Sequence, residues 1–340
     1  MNDINKQMAI YPVSKIQHQF WIINRMFPGN PAYNMASVFR ITGPFHPDKL
    51  RKSINGIIER HEILRTTFIE TDEGVMQIVH ESMQIDLPLA DLSSGLGRDN
   101  NDINESINSE VSYPFNLQDG PLIRCKIFLK DDREYYLCIT LHHIITDLHS
   151  KNIFSGELSA SYNSPVSGII PEIQEQIIHY RDYSIWENEW IKSADCNSMI
   201  KSWQERLAGG EYYLNLPLDH IRRDSADLKG SVCEIIIPEN MTERIKAYSR
   251  LNSINIFVTL LAAYYILLYR YTYQDSIIIG LPLTNRRKDK FKEIMGCLMN
   301  IVPLRVDDIG MHSFDELVIS VRKAMLEAHR NQEVPVEEII

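Results

Sequence analysis

Apolar residues first recur at helical spacing just after Ser14, where Ile16, Phe20 and Ile23 share one face. Ser14 with Gln17 three residues on forms a capping-box signal, so a helix is predicted to start there. Pro47 and Asp48 open a second predicted helix, striped by Leu50, Ile54, Ile57 and Ile58 and turning at Arg60-His61-Glu62. The β-rich run 64–69 predicts a strand, and 123–128 and 135–141 predict paired strands joined by the polar turn Lys130-Asp131-Asp132-Arg133. After His149-Ser150 a helix is expected as far as Tyr162, broken by the turn formers at 163–168. One helix is predicted over 180–207, with Trp186, Trp190 and Trp203 as packing anchors. Beyond the extended stretch 215–219 the pattern predicts strand 232–237, helix 242–251, helix 256–271, strands 276–280 and 300–306, and helix 314–331. Strands and helices mixed in this order define an α/β (α+β) fold class, with no fixed-period repeat.

Length and composition sharpen that picture. At 340 residues and 44% hydrophobic content the chain can fill two ordinary cores, so two lobes are expected, 1–175 and 176–340, with the boundary near Glu175. A net charge of −10 argues against nucleic acid or an anionic membrane as partner. A local basic run, Arg286, Arg287, Lys288, Lys290 and Lys292, is a candidate patch for an acidic partner, although such runs are usually solvated faces. Cys125, Cys138, Cys196, Cys233 and Cys297 contain no C-x-x-C pair and no disulfide-scaffold density, which fits a reduced, cytoplasmic setting. The polar N-terminus leads into no signal-type apolar core, and the apolar run 256–269 is too short to span a bilayer and reads as a buried core helix.

The chemistry concentrates in His142-His143-Ile144-Ile145-Thr146-Asp147, directly after the predicted strand 135–141. An imidazole can hold, take or give a proton near neutral pH, and a nearby carboxylate can fix geometry by ion pairing. Successive strand side chains point to opposite faces, so the two histidines do not share one metal ion while the strand continues. The pair reads as one buried structural imidazole and one reacting imidazole, an arrangement suited to acyl transfer. His61-Glu62 offers no zinc alternative, because Arg65 stands where an H-E-x-x-H helix places its second histidine. No metal is expected.

Six segments in order resemble the condensation domains of nonribosomal peptide synthetases, within the superfamily similar to chloramphenicol acetyltransferase. Arg60-His61-Glu62-Ile63-Leu64-Arg65-Thr66-Thr67-Phe68 resembles R-H-E-x-L-R-T-x-F, and the residues from Leu141 to Asp147 are similar to the H-H-x-x-x-D-G core. Tyr180-Arg181-Asp182-Tyr183-Ser184-Ile185-Trp186, Gly280-Leu281-Pro282-Leu283-Thr284-Asn285-Arg286, Gly296-Cys297-Leu298-Met299-Asn300 and Asn331-Gln332-Glu333-Val334-Pro335-Val336-Glu337 are similar to the family's later motifs. Leu148 departs from the pattern where the family has glycine, which would cost about 1–2 kcal/mol if the site needs positive φ. Leu298, Met299, Ile301 and Val336 also differ, so an altered tunnel lining is expected. The sequence ends at Glu337-Glu338-Ile339-Ile340, before the family's final R-D-x-S-type motif. The expectation is an incomplete second lobe exposing a large apolar patch.

The resemblance implies two lobes in a V with a central tunnel, and donor and acceptor carrier proteins docking at its mouths within a line of synthetase modules. Their phosphopantetheine arms would be substrates, with no cofactor bound by the chain itself. The donor acyl group would pass to the acceptor's amine in the making of a secondary metabolite such as a peptide antibiotic. No G-x-S-x-G elbow and no motif-marked cysteine is present, so direct attack is simpler than a covalent relay. On this reading His143 is the catalytic base or hydrogen-bond acceptor and His142 is structural. Asp147 is an anchor paired with Arg286, Arg60 and Arg65 are architectural, and Leu148, Trp186 and Asn300 are tunnel or motif candidates. Ester formation, or a silent carrier-docking module, remain the alternatives at this point.

Overall fold

The computed structural model describes residues 9–93, 100–131, 133–165, 178–220 and 230–339. The polar N-terminus at 1–6, Asp132, part of the break at 163–168, Glu175 and Ile340 lie outside them. Contacts divide the chain into two compact units, one holding the residues up to Trp190 together with Arg286–Leu298, the other Ile191–Asn285 and the residues from Met299 onward.

The first unit begins with β1 (Ala9–Pro12), α1 (Lys15–Met26), β2 (Asn34–Thr42) and α2 (Pro47–Arg60). It continues with β3 (Thr66–Thr71), β4 (Gly74–Val79), β5 (Leu89–Asp91), α3 (Asn100–Val111), β6 (Ile123–Asp131), β7 (Glu134–His142), α4 (Leu148–Asn163) and α5 (Tyr180–Trp190). The capping box expected at the start of α1 is present, with Gln17 N–H donating to Ser14 Oγ and Ser14 N–H donating to Gln17 Oε1. β3 starts at Thr66 rather than at residue 64, because Glu62–Arg65 coils into a 3-10 turn. Four strands pair in the order β2-β7-β6-β5, antiparallel except for the parallel edge pair β5-β6. A second sheet pairs β1-β4-β3. β7 therefore has a partner on each side, and every residue from Leu137 to His142 is buried. That burial explains its nearly continuous apolar run, broken by Thr140, in contrast to the alternation of a one-sided strand.

The second unit contains α6 (Ala194–Leu207), α7 (Glu239–Leu251), α8 (Ile256–Thr272), β8 (Ile277–Thr284), β9 (Met299–Val306) and α9 (Phe314–Arg330). The single helix predicted over 180–207 is two helices: α5 ends at Trp190, and Ser193 caps α6 by accepting from Cys196 N–H. β8 runs on past Gly280 through Pro282 to Thr284 and, among the described residues, pairs with β9 alone, an arrangement that tolerates a proline in the strand. The strand predicted at 232–237 does not form; Val232, Ile235 and Ile236 are 86–89% exposed and no ladder partner faces them among the described residues. An apolar β-branched run is compatible with a strand but does not make one without a neighbouring edge.

Helix α8 corrects the expectation of a fully buried core helix. Val258, Leu261, Ala262, Tyr265 and Leu268 are buried, while Phe257, Leu260, Tyr264, Leu267 and Tyr271 are exposed. No single helix among the described residues is long and apolar enough to cross a membrane.

Candidate active site

Strand β7 delivers both histidines. His142 is its last residue, buried, and its Nδ1 accepts from Ile144 N–H at 3.1 Å, which places the proton of the neutral ring on Nε2. The rings of Phe20 and Phe115 stand nearly perpendicular to it. Burial, reinforced by the adjacent His143, pushes its pKa down to about 3. The folded state therefore refuses a proton that the unfolded chain accepts near pH 6.5. Stability from this group is complete above that value and is lost as pH falls toward 3, by about 1.4 kcal/mol per pH unit. His142→Asn keeps an acceptor near Nδ1 and should flatten this dependence; thermal melts of both proteins between pH 7 and 4 would measure it, and equal slopes would contradict it.

His143 follows in a 3-10 turn spanning His143–Ile145, its backbone N–H donating to Tyr33 O at 2.9 Å. Its ring is half-buried and stacks on Phe20, with centroids 4.9 Å apart, and its Nδ1 lies 3.6 Å from Cys297 Sγ. Asp147 then ends the turn as the N-cap of α4. Its Oδ1 accepts from Ser150 N–H at 2.8 Å, Ser150 Oγ at 2.7 Å and Arg286 Nη2 at 3.1 Å, while Oδ2 accepts from Leu298 N–H at 3.1 Å. Both carboxylate oxygens are thus engaged away from the histidines. Burial lowers the pKa of Arg286, and the nearby Asp147 carboxylate opposes that fall. Arg286 Nη2 also donates to Ile294 O and Gly296 O, so one guanidinium ties α4 to Arg286–Leu298.

Leu148 occupies the first turn of α4, is 70% exposed and is absent from the positive-φ positions, so its side chain carries no backbone penalty. Arg60 pairs with Glu157 of α4 at 3.3 Å, and His61 Nε2 meets the same carboxylate at 2.8 Å. Arg65 donates to His80 O and lies 3.8 Å from Glu62, which also takes a 2.8 Å bond from Arg181. These two arginines brace α2 and its following turn against α4 and β4. Trp186 stacks on Trp190 and packs at a tilt against Phe291, and Lys288 Nζ lies 4.0 Å from the Trp186 ring centre. The basic run is split: Arg287, Lys290 and Lys292 are exposed, whereas Arg286 is buried in the Asp147 network and is no part of a surface patch. Asn300 lies in the second unit, where its Nδ2 donates to Gln332 O at 2.8 Å and Val334 O at 2.6 Å, binding β9 to the segment after α9.

Ser150, Gly296 and Tyr180, which the sequence expectation gave no site role, complete the network. Ser150 Oγ accepts from Gly296 N–H at 2.9 Å while bonding Asp147, and Tyr180 OH donates to Cys297 O at 2.6 Å. The D-x-x-S spacing of a helix start was the one available signal for Ser150. Gly296 has φ +145, and a Cβ there would sit 1.9 Å from Tyr180 Cδ2. Gly296→Ala should therefore destabilise by about 1–3 kcal/mol through overpacking. Denaturant unfolding would test it, and a second change, Tyr180→Leu, should recover part of the loss.

A condensation-domain family model matches residues 7–340, and the chain belongs to the condensation-domain family. It is 34% identical over 330 residues to one of the linear gramicidin synthase proteins of Brevibacillus parabrevis, a match covering 97% of this chain and 4% of that protein. Its fold is similar to that of a four-domain nonribosomal peptide synthetase bound to AMP and glycine, with TM-score 0.87 and 18% identity, over 100% of this chain and 26% of that one. The X-domain from teicoplanin biosynthesis, solved in complex with OxyB, aligns with TM-score 0.86 and 24% identity over 97% of this chain and 72% of that one. The chain spans a small fraction of the curated relatives it matches, 4% to 13% of their lengths.

Proposed function

We propose that the chain joins a carrier-bound acyl or peptidyl thioester to the amine of a carrier-bound aminoacyl group, forming an amide. The observation that carries this reading is the division of labour within the histidine motif. His142 is buried and its Nδ1 is engaged, both oxygens of Asp147 are occupied, and His143 alone keeps a half-buried ring. The amine nitrogen attacks the thioester carbonyl, the N–C bond forms, the C–S bond breaks, and the proton leaving the amine ends on the departing thiolate. His143 Nε2 accepts that proton or a hydrogen bond from the amine, keeping the nucleophile neutral and aimed. Holding two tethered reactants together can supply about 7–11 kcal/mol of the barrier reduction.

The partners on this reading are a donor and an acceptor carrier protein and adjacent synthetase modules, with the phosphopantetheine arms as substrates and the cytoplasm as setting. Neither nucleic acid nor membrane has a part in it. A single-turnover reaction with loaded donor and acceptor carriers, followed by mass spectrometry of the acceptor, should show the donor group gained through an amide. Acceptor that stays unmodified while both carriers bind would leave the chain as a docking module.

A further inference from the structure

We infer that Cys297 is a positioning residue for His143, setting which ring nitrogen carries the proton; this rests on the condensation reading above. A neutral imidazole has one N–H and one lone pair, and the bond made by one nitrogen decides what the other presents. Nδ1 of His143 faces Cys297 Sγ at 3.6 Å, an ordinary distance for a hydrogen bond to sulfur. With the proton on Nδ1 and sulfur as acceptor, Nε2 turns its lone pair outward, the form that an attacking amine needs.

The sulfur is held in place from several sides. Cys297 is fully buried, and its carbonyl accepts from the Tyr180 hydroxyl, which also bonds Ser14 Oγ at 2.8 Å at the cap of α1. The residues on either side are fixed as well, Gly296 by Ser150 and Leu298 by the Asp147 carboxylate. Helix α1 also carries Phe20, whose ring stacks on His143. One face and one edge of the imidazole are therefore set by elements that Asp147, Arg286 and Tyr180 lock together. This gives the anchor network a chemical consequence: it places a soft acceptor against the edge of the ring that does not meet substrate. Burial also excludes Cys297 as the nucleophile, since its sulfur offers no exposed surface to an incoming thioester.

The experiment uses histidine labelled with nitrogen-15 in the full chain, with His143→Gln identifying the His143 signals. Nitrogen chemical shifts report the tautomer directly, without substrate. In the parent protein the Nδ1–H form should dominate. In Cys297→Ala the Nε2–H form should rise to comparable population, and in Cys297→Ser, which restores an acceptor, the Nδ1–H form should return. Turnover with loaded carriers should fall roughly 10-fold in the alanine variant and recover in the serine variant, the fold expected when one ordinary hydrogen bond to a catalytic group is lost. Unchanged His143 shifts in Cys297→Ala would overturn the inference. If the tautomer moves as expected but the parent protein leaves a loaded acceptor carrier unmodified, the positioning stands and the condensation reading fails. The His142 signals check folding in every variant, because their shifts depend on its bond to Ile144.

Discussion

Replacing Asp147 with alanine is expected to lower folding stability by about 3–5 kcal/mol, the cost of leaving a buried charge without its partner. The carboxylate takes four hydrogen bonds, and Arg286 is only 6% exposed, so solvent does not replace what the substitution removes. Loss of the α4 cap adds to the effect, by about 1 kcal/mol when such a residue is changed to alanine. Urea titration would measure the change as a lower midpoint at an unchanged slope. A coupled variant separates charge from cap: Asp147→Ala with Arg286→Met removes the stranded guanidinium and should recover a large part of the loss. Asp147→Ala with unaltered stability and abolished turnover would instead give the carboxylate a direct chemical role.

How far such a network is legible in sequence depends on which contacts are local. The helix start at Ser14 was readable because both halves of its capping box lie within four residues. The histidine strand was readable from its apolar run, broken by Thr140 alone, and the family pattern paired Asp147 with Arg286 across a separation of 139 residues. Local pattern fails where a partner decides. Residues 232–237 look like a strand by composition yet stay irregular and exposed, while Asn34–Thr42, whose mixed polar content gave no period-two signal, is a full strand because β7 supplies its ladder. Likewise nothing near Cys297 in the chain announces an imidazole. The approach of its sulfur to His143 is created by the Ser150, Gly296 and Tyr180 contacts, each spanning more than a hundred residues.

His143→Ala should reduce condensation by roughly 10²–10⁴, equivalent to about 2.7–5.4 kcal/mol of transition-state stabilisation. The structural cost of the same change is smaller, because the ring is half-buried and its clearest packing contact is the stack on Phe20, worth about 0.5–1.5 kcal/mol. That inequality makes the result interpretable: a stable protein with little turnover marks a chemical role, whereas Asp147→Ala loses both together. The loss should appear in kcat, with the carrier concentration for half-maximal rate nearly unchanged, since the imidazole acts on the amine at the moment of attack and contributes little to holding the carriers. Single-turnover rates over a range of acceptor-carrier concentrations would separate the two. A His143→Ala protein that forms amide at the parent rate would remove His143 from the chemistry and leave positioning of the tethered reactants as the whole of the catalysis.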